Sequence, residues 1–525
     1  MNATESLRAV GGSGLDVRSA ADGRLVARVP PSVFPAIAAD LHAQTGLPLD
    51  LLFATDDRAE RRGFGVHAVF AIDESHEWIE MATEVSADSP SFGALTPRVM
   101  AAHWYERYVQ DMFGIRADGH PDGRRLVHHE NIPAGTHPLR KDFPWNARLA
   151  RADEPYPMGR VEGEGMFQIP VGPIHAGIIE PGHFRFNVAG ERIITLEGKL
   201  FFTHKGVEKL LEGRTVADAM PFVERVSGDA AASHALAFCQ ALETIAGCRV
   251  PERALVLRVL AVELERFTMH LHDIANICGM GTGYTVMAAN GFRIVERLRR
   301  LSARLFGNRF FRGLVVPGGI ATPLTAGQLA DATATVDDAW TEASALVRLA
   351  IDSDTLRDRL ETTGVLTREA AWAYGAKGVA AKASGIGRDS RHSHPHAGYP
   401  RWPFLARTRT EGDVFARVML RVDEMSDARD LIHAAATDGS EYAGDPEYRV
   451  DCGCSSGDAL GWSESWRGQI LDWVRVRDGV IDRVVIRDPS FCNWPLFGEL
   501  GPGNIVPDFP LCNKSLNLSY SGTDL

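Results

Sequence analysis

Between Pro251 and Gly279 the sequence reads PERALVLRVLAVELERFTMHLHDIANICG. Leu257, Leu260, Leu264, Phe267, Leu271 and Ile274 recur there at spacings of 3, 4, 3, 4 and 3. That period belongs to an α-helix with one apolar face. Pro251 suits the first helical turn and Gly279 the stop. This helix anchors an α-rich body that starts near residue 160. Further helices are predicted over about 290–306, where RIVERLRRLSARLF has a basic outer face, and over 326–350 and 412–436. VGPIHAGIIEPGHFRFNVAGERI reads as two short strands turning at Gly182 and Gly190, and ILDWVRVRDGVIDRVVIRD as a hairpin about Asp478-Gly479.

Upstream the pattern changes. Residues 31–125 mix helix and strand. PSVFPAIAADLHAQTG has helical spacing and stops at Gly46, and GFGVHAVFAI alternates as a strand. TPRVMAAHWYERYVQDMFGI predicts a helix with Pro97 early and Gly114 late. Residues 126–159 form a polar linker or docking arm, and residues 1–30, with Gly11, Gly12 and Gly14, a weakly packed N-terminal segment. The fold class is therefore α+β.

A formal net charge of −12 argues against nucleic acid as a partner. No run approaches the roughly 18–20 apolar residues that cross a bilayer. MNATESLRAVGGSG has no apolar signal core. The expectation is a cytoplasmic chain, peripheral on the inner face of the membrane through partner subunits. The seven cysteines imply reduced thiols, mostly small core residues. None has iron–sulfur spacing, and Cys452-Gly-Cys454 has no second pair to complete a zinc site. GMGTGYTV follows a helix, not a strand, which is the wrong context for a nucleotide loop.

Several ordered stretches carry a family likeness over about residues 60–525. WYERYVQDMFGI, GHPDGRRLV and HPLRKDFP resemble the 30-kDa-type subunit of respiratory complex I. VGPIHAGIIEPGHFRF, THKGVEKLLEGR, the long helix and ESWRGQILDWV resemble the 49-kDa-type subunit, itself related to the large subunit of nickel–iron hydrogenases. Their fusion is most similar to the large subunits of formate hydrogenlyase and other membrane-bound energy-converting hydrogenases. The resemblance implies a 30-kDa-like α/β domain at 31–125 and a mainly helical hydrogenase-like domain with small β elements at 160–525. It also implies an iron–sulfur partner subunit, membrane-arm subunits, and quinone and NAD binding at the level of the complex.

The family holds nickel and iron with Arg-x-Cys-Gly-x-Cys and Asp-Pro-Cys-x-x-Cys. Here those motifs map onto Arg225, Ser227 and Ala230, and onto Asp488, Pro489, Ser490 and Asn493. All four thiolates are replaced, and Cys492 is one residue out of step. Soft thiolates are what such a centre needs, so no metal and no intrinsic cofactor are expected. Complex I uses the vacated region for quinone, with a His from the strand pair and a Tyr. His175 and His183 are available, but Gly228 stands nearest the tyrosine position. The former metal cavity should gather Arg225, Ser227, Gly228, His234, Asp488 and Ser490 near the catalytic candidates Glu208, His175 and His183. Glu208 is set against either a proton relay beside Lys205 or a salt bridge. The Arg388, Asp389 and Arg391 stretch suggests ion pairing, and HSHPH a surface loop. Three readings stay open: a quinone-like binding subunit without metal, a catalytic formate hydrogenlyase-type hydrogenase, and a structural adaptor.

Overall fold

The computed structural model describes residues 2–11, 15–60, 62–175, 179–453 and 455–525. Near the N-terminus, α1 (Ala3–Gly11), β1 (Asp16–Ser19) and β2 (Leu25–Arg28) precede α2 (Phe34–Thr45). They join β3 (Leu51–Asp56), β4 (Phe64–Ile72) and β5 (Glu77–Val85) in a sheet of order β1-β2-β5-β4-β3. Only the β2–β5 pair is parallel. The stretch 1–30, read as weakly packed, is thus part of this body: Ala3, Leu7, Val26 and Ala27 are buried. The reason is the β2–β5 pairing, which a glycine-rich sequence does not announce.

β4 is buried along nearly its whole length rather than on one face. One side of the sheet meets helices. The other meets the C-terminal hairpin, where the Phe53 ring lies 4.9 Å from that of Trp473. The predicted helix after Pro97 begins later, as α3 (His103–Phe113). Buried Glu106 explains the delay. Its carboxylate accepts from Leu95 N–H, Thr96 N–H and the Thr96 hydroxyl, which holds that stretch in a turn. Gly114 ends α3 in the left-handed conformation. The arm that follows has no regular element over 126–159 but is pinned at its start. Asp111 accepts the N–H groups of Leu126, Val127 and His128.

The larger body begins with three antiparallel strands, Met166–Val171, His183–Ala189 and Arg192–Lys199. Its core is built on helices Ala231–Ala246, Glu252–Ala275, Thr285–Phe306, Ala326–Ile351 and Val414–Glu441. The Glu252–Ala275 helix is buried nearly all round, so the apolar stripe understates its burial. Its charged residues survive burial because they are paired. Arg421 on the Val414–Glu441 helix meets Asp273, and Glu424 meets His270 and Arg266. The rising numbers on one helix and falling numbers on the other make the pair antiparallel.

Three further strands, Gly457–Ser465, Gly468–Arg477 and Val480–Arg487, form an antiparallel sheet. The turn between the last two is the expected one, with positive φ at Asp478 and Gly479. At Gly461 a Cβ would collide with the Ala237 carbonyl, so the missing side chain lets this sheet touch the Ala231–Ala246 helix. HSHPH is not a surface loop. His394 and His396 are buried, and only His392 of the three is exposed. His394 packs 4.3 Å from the Trp78 ring, which draws the loop into the interface with the N-terminal sheet.

Candidate functional site

The two segments that carry the family's metal motifs lie more than 250 residues apart in sequence and meet through Ser519. The first is the turn after helix Val216–Val223; the second begins the short helix Pro489–Asn493. Ser227 Oγ donates to Ser519 Oγ at 2.9 Å, and Ser519 N–H donates to Ser490 Oγ at 2.9 Å. His234 Nε2 lies 3.1 Å from Asp488 Oδ2, and Asp488 Oδ1 caps the short helix by accepting Ser490 N–H at 2.8 Å. Burial opposes ionisation of Asp488, but His234 and then Arg467 outweigh it and hold the carboxyl below its ordinary value.

These positions do not fit a nickel–iron centre. Ser227 and Ser490 are buried, and Ser519 ties both into one hydrogen-bond network. Ala230 packs against Met269 and Trp466 and offers no donor atom. Asn493 accepts Lys377 N–H and donates to Lys377 O, so its amide is spent on backbone. Cys492 turns the other way, with its sulfur 3.3 Å from Tyr105 Oη. Three hydrogen-bonded hard oxygens and one methyl group replace four soft ligands.

Beside this closed patch lies an open cavity of about 730 Å³. Arg225, Ser227, Gly228 and Asp229 form one wall, and the Ser519–Ser521 stretch lies across it. Arg467 binds Asp229 with two hydrogen bonds of 2.7 Å and stacks 3.9 Å over Trp466. Burial would raise the Asp229 carboxyl, but Arg467 prevails and lowers it to about 2. The pair is therefore a fixed, ionised feature of the wall.

None of the three catalytic candidates is among the described residues that line this cavity. Glu208 accepts from Tyr108 Oη at 2.9 Å, Arg483 at 3.1 Å and Ile486 N–H at 3.2 Å. It lines a separate cavity of about 30 Å³ between β3 and the hairpin. Lys205 does not pair with it but donates to Ser521. Glu208 is thus a helix-start carboxylate in a salt bridge, outside the lining of the large cavity. His175 Nε2 lies 2.8 Å from Gly182 O and His183 Nδ1 3.3 Å from Gly172 O, so both histidines shape the strand turn. Gly177, between them, lies outside the described residues, as does Cys454. Cys452 neighbours Cys248, and burial followed by that thiol pushes it up to about 12. Among the described residues no group of His, Cys, Asp or Glu could hold a metal ion.

Sequence reasoning missed Arg312, Arg467, Ser519 and Tyr520, which all line the cavity. Each lies outside both motifs in sequence. Arg467 stands inside the quoted ESWRGQ stretch, yet nothing local indicates Asp229 as its partner.

Three family models match successive parts of the chain. The respiratory-chain NADH dehydrogenase 30 Kd subunit matches residues 27–149, nickel-dependent hydrogenase 205–275, and the respiratory-chain NADH dehydrogenase 49 Kd subunit 281–448. Hydrogenase-4 component G of Escherichia coli strain K12 is 31% identical over 98% of this chain and 90% of its own length. The chain belongs to this family of fused hydrogenase and complex I-type subunits. Formate hydrogenlyase subunit 5 of the same organism is 31% identical over 95% of this chain and 89% of its own length. The C/D subunit of NADH-quinone oxidoreductase from Bdellovibrio bacteriovorus is 25% identical over 79% of this chain and 76% of its own length. The elements of the structure bear out the α+β class, with a strand-rich N-terminal part and a helical C-terminal part. Among the described residues no helix is long and apolar enough to cross a membrane.

Proposed function

We propose that this chain is a subunit of a membrane-associated oxidoreductase complex, that it works without a nickel–iron centre of its own, and that its cavity receives a quinone-like or other small redox molecule. One contrast carries the reading. Ser227, Ser490 and Asn493 spend their polar groups on internal hydrogen bonds and Ala230 offers no donor, while the adjoining space is open and lined by charged groups. A structural adaptor would share the first feature and have no use for the second. A catalytic hydrogenase would need the first reversed.

Electrons would come from iron–sulfur clusters on a partner subunit, and membrane-arm subunits would hold the complex on the inner face of the membrane. Names among the relatives support such an assembly, including a membrane-bound hydrogenase subunit alpha from Pyrococcus furiosus. Met280, 62% exposed, and Ile179, 44% exposed, line the cavity and offer apolar rim for a partner to cover.

The test is gentle extraction of the native complex followed by elemental analysis and subunit identification. Nickel should fall well below one atom per chain, and a cluster-bearing subunit and membrane proteins should co-purify. Stoichiometric nickel with hydrogen uptake would sink the metal-free reading. A lone monomer in both membranes and cytosol would sink the assembly.

A further inference from the structure

The large cavity is cationic in a chain whose formal net charge is −12. Its charged lining residues are Arg225, Arg312, Arg467 and Lys514 against Glu180 and Asp229. Asp229 is fully engaged by Arg467. Glu180 accepts Ser521 N–H at 3.0 Å. The other three cations have no ion-pair partner among the described residues. Arg225 donates to Pro221 O, and Lys514 to Asn276 Oδ1 at 3.3 Å. The Arg312 Nε is buried and makes no hydrogen bond. Glu224 lies near both Arg225 and Arg312, but its Oε1 accepts Gly313 N–H at 2.5 Å and it forms no ion pair with either.

Gly228 explains how Arg312 reaches this place. A Cβ at residue 228 would lie 3.1 Å from Arg312 Nη2. Any larger side chain, a tyrosine above all, would push on the guanidinium. The glycine at the tyrosine position therefore does more than remove a phenol. It leaves room beside residue 228 for the Arg312 guanidinium in the wall. A guanidinium fork matches a planar or tetrahedral oxyanion, whereas a neutral carbonyl gains little from unpaired cations. Phe292, Leu518, Ile179 and Met280 supply apolar lining in the same cavity. Its volume suits a molecule of several fused or linked rings rather than a bare ion.

We infer that the cavity binds a small amphipathic molecule through an oxyanion group, a carboxylate or a phosphate, held by Arg312 with Arg225 and Lys514. This rests on the reading of the cavity as a small-molecule site and narrows its ligand to an anion.

The test is calorimetric titration of the full chain, purified with whatever partners remain bound. The probes are 2-naphthoate, 2-naphthyl phosphate, neutral 2-naphthamide and a short-chain benzoquinone. At least one of the two anions should bind roughly tenfold or more tighter than the amide, the scale of one charge-assisted hydrogen bond. Which anion wins identifies the headgroup. Arg312→Gln should abolish most of that preference, and Gly228→Tyr should do the same by displacing the guanidinium. Both variants should keep the wild-type unfolding midpoint. Should a variant fold poorly, salt dependence in the wild type decides: anion affinity must fall steeply between low and physiological ionic strength. Binding of the benzoquinone or the amide as tightly as the anions would overturn the anion inference and leave the small-molecule site standing. Binding of none would overturn both.

Discussion

At the scale of single residues, the closed patch and the open cavity differ in whether polar groups are paired. The most exceptional unpaired group is Asp472, in the middle strand of the C-terminal sheet. Neither carboxyl oxygen has a hydrogen-bond partner, and the residue is fully buried. Burial raises its pKa well above the ordinary carboxyl value, Arg487 opposes the rise, and Glu208 and Asp488 add to it. The sign of the pH effect follows. Below the unfolded-state value near 3.8 the group is protonated in both states and adds no pH dependence. As pH rises above that value, the unfolded chain releases a proton that the folded chain retains, so stability falls. Asp472→Asn removes the titration while keeping the shape. Its stability should fall less than that of wild type between pH 4 and pH 8, because the variant has no carboxyl proton that the unfolded chain alone releases. Denaturant unfolding at the two pH values measures the difference. Equal pH slopes in the two proteins would refute it.

At the scale of elements, the helix pair Glu252–Ala275 and Val414–Glu441 shows what the sequence could and could not reveal. The 3, 4, 3, 4, 3 repeat and the flanking Pro251 and Gly279 suffice to predict the helix, because periodicity and caps are local. The identity of the opposite face is not local. Arg266, His270 and Asp273 look like a solvated surface until Arg421 and Glu424 arrive from about 150 residues away. The strand Gly457–Ser465 escaped for a related reason. GDALGWSES has weak strand propensity, and pairing with Gly468–Arg477 and close contact at Gly461 decide its fate. The four positions onto which the family's metal motifs map were legible because a motif fixes them in sequence. The cavity was not, because Arg312 and Arg467 reach it from distant segments. The helix pair also yields a quantitative expectation. Arg421 Nε meets Asp273 Oδ2 at 2.9 Å with both side chains buried. Arg421→Met should cost about 3–5 kcal/mol, because it leaves a buried carboxylate with the Asn517 amide but no cation. The double variant with Asp273→Asn should cost clearly less than the sum of the singles. Additive losses in the double-mutant cycle would show that the pair is not coupled.

For the molecule as a whole, the decisive question is whether the N-terminal sheet and the helical body are one folding unit. The contacts between them are ionic as well as apolar. Asp50, at the entrance to β3, accepts two hydrogen bonds from Arg388, at 3.0 and 2.9 Å, and pairs with Lys377. Arg388 also reaches Asp73, Arg24 meets Asp458, and Arg475 meets Asp57 at 2.8 Å. Tyr105 Oη donates to Asp50 O and touches Cys492, so the interface runs up to the segment that replaced the metal motif. Burial alone would raise the Asp50 pKa, but Arg388 and then Lys377 hold it far below the carboxylate range. Its contribution is therefore present above the unfolded value of 3.8 and is lost as pH falls toward the depressed folded value. Asp50→Asn leaves Arg388 with Asp73 but strips buried Lys377 of its carboxylate partner. The variant should lose about 3–5 kcal/mol. More tellingly, it should separate the two halves. In wild type, far-ultraviolet dichroism and tryptophan fluorescence should report coincident denaturant transitions, since Trp78 and Trp473 both sit at the interface. In Asp50→Asn the fluorescence transition should move to lower denaturant than the helical one. If the two probes already diverge in wild type, the halves are independent domains and the ion pairs merely decorate their contact. If they stay coincident in the variant, the apolar packing of β3 against the hairpin suffices to couple them.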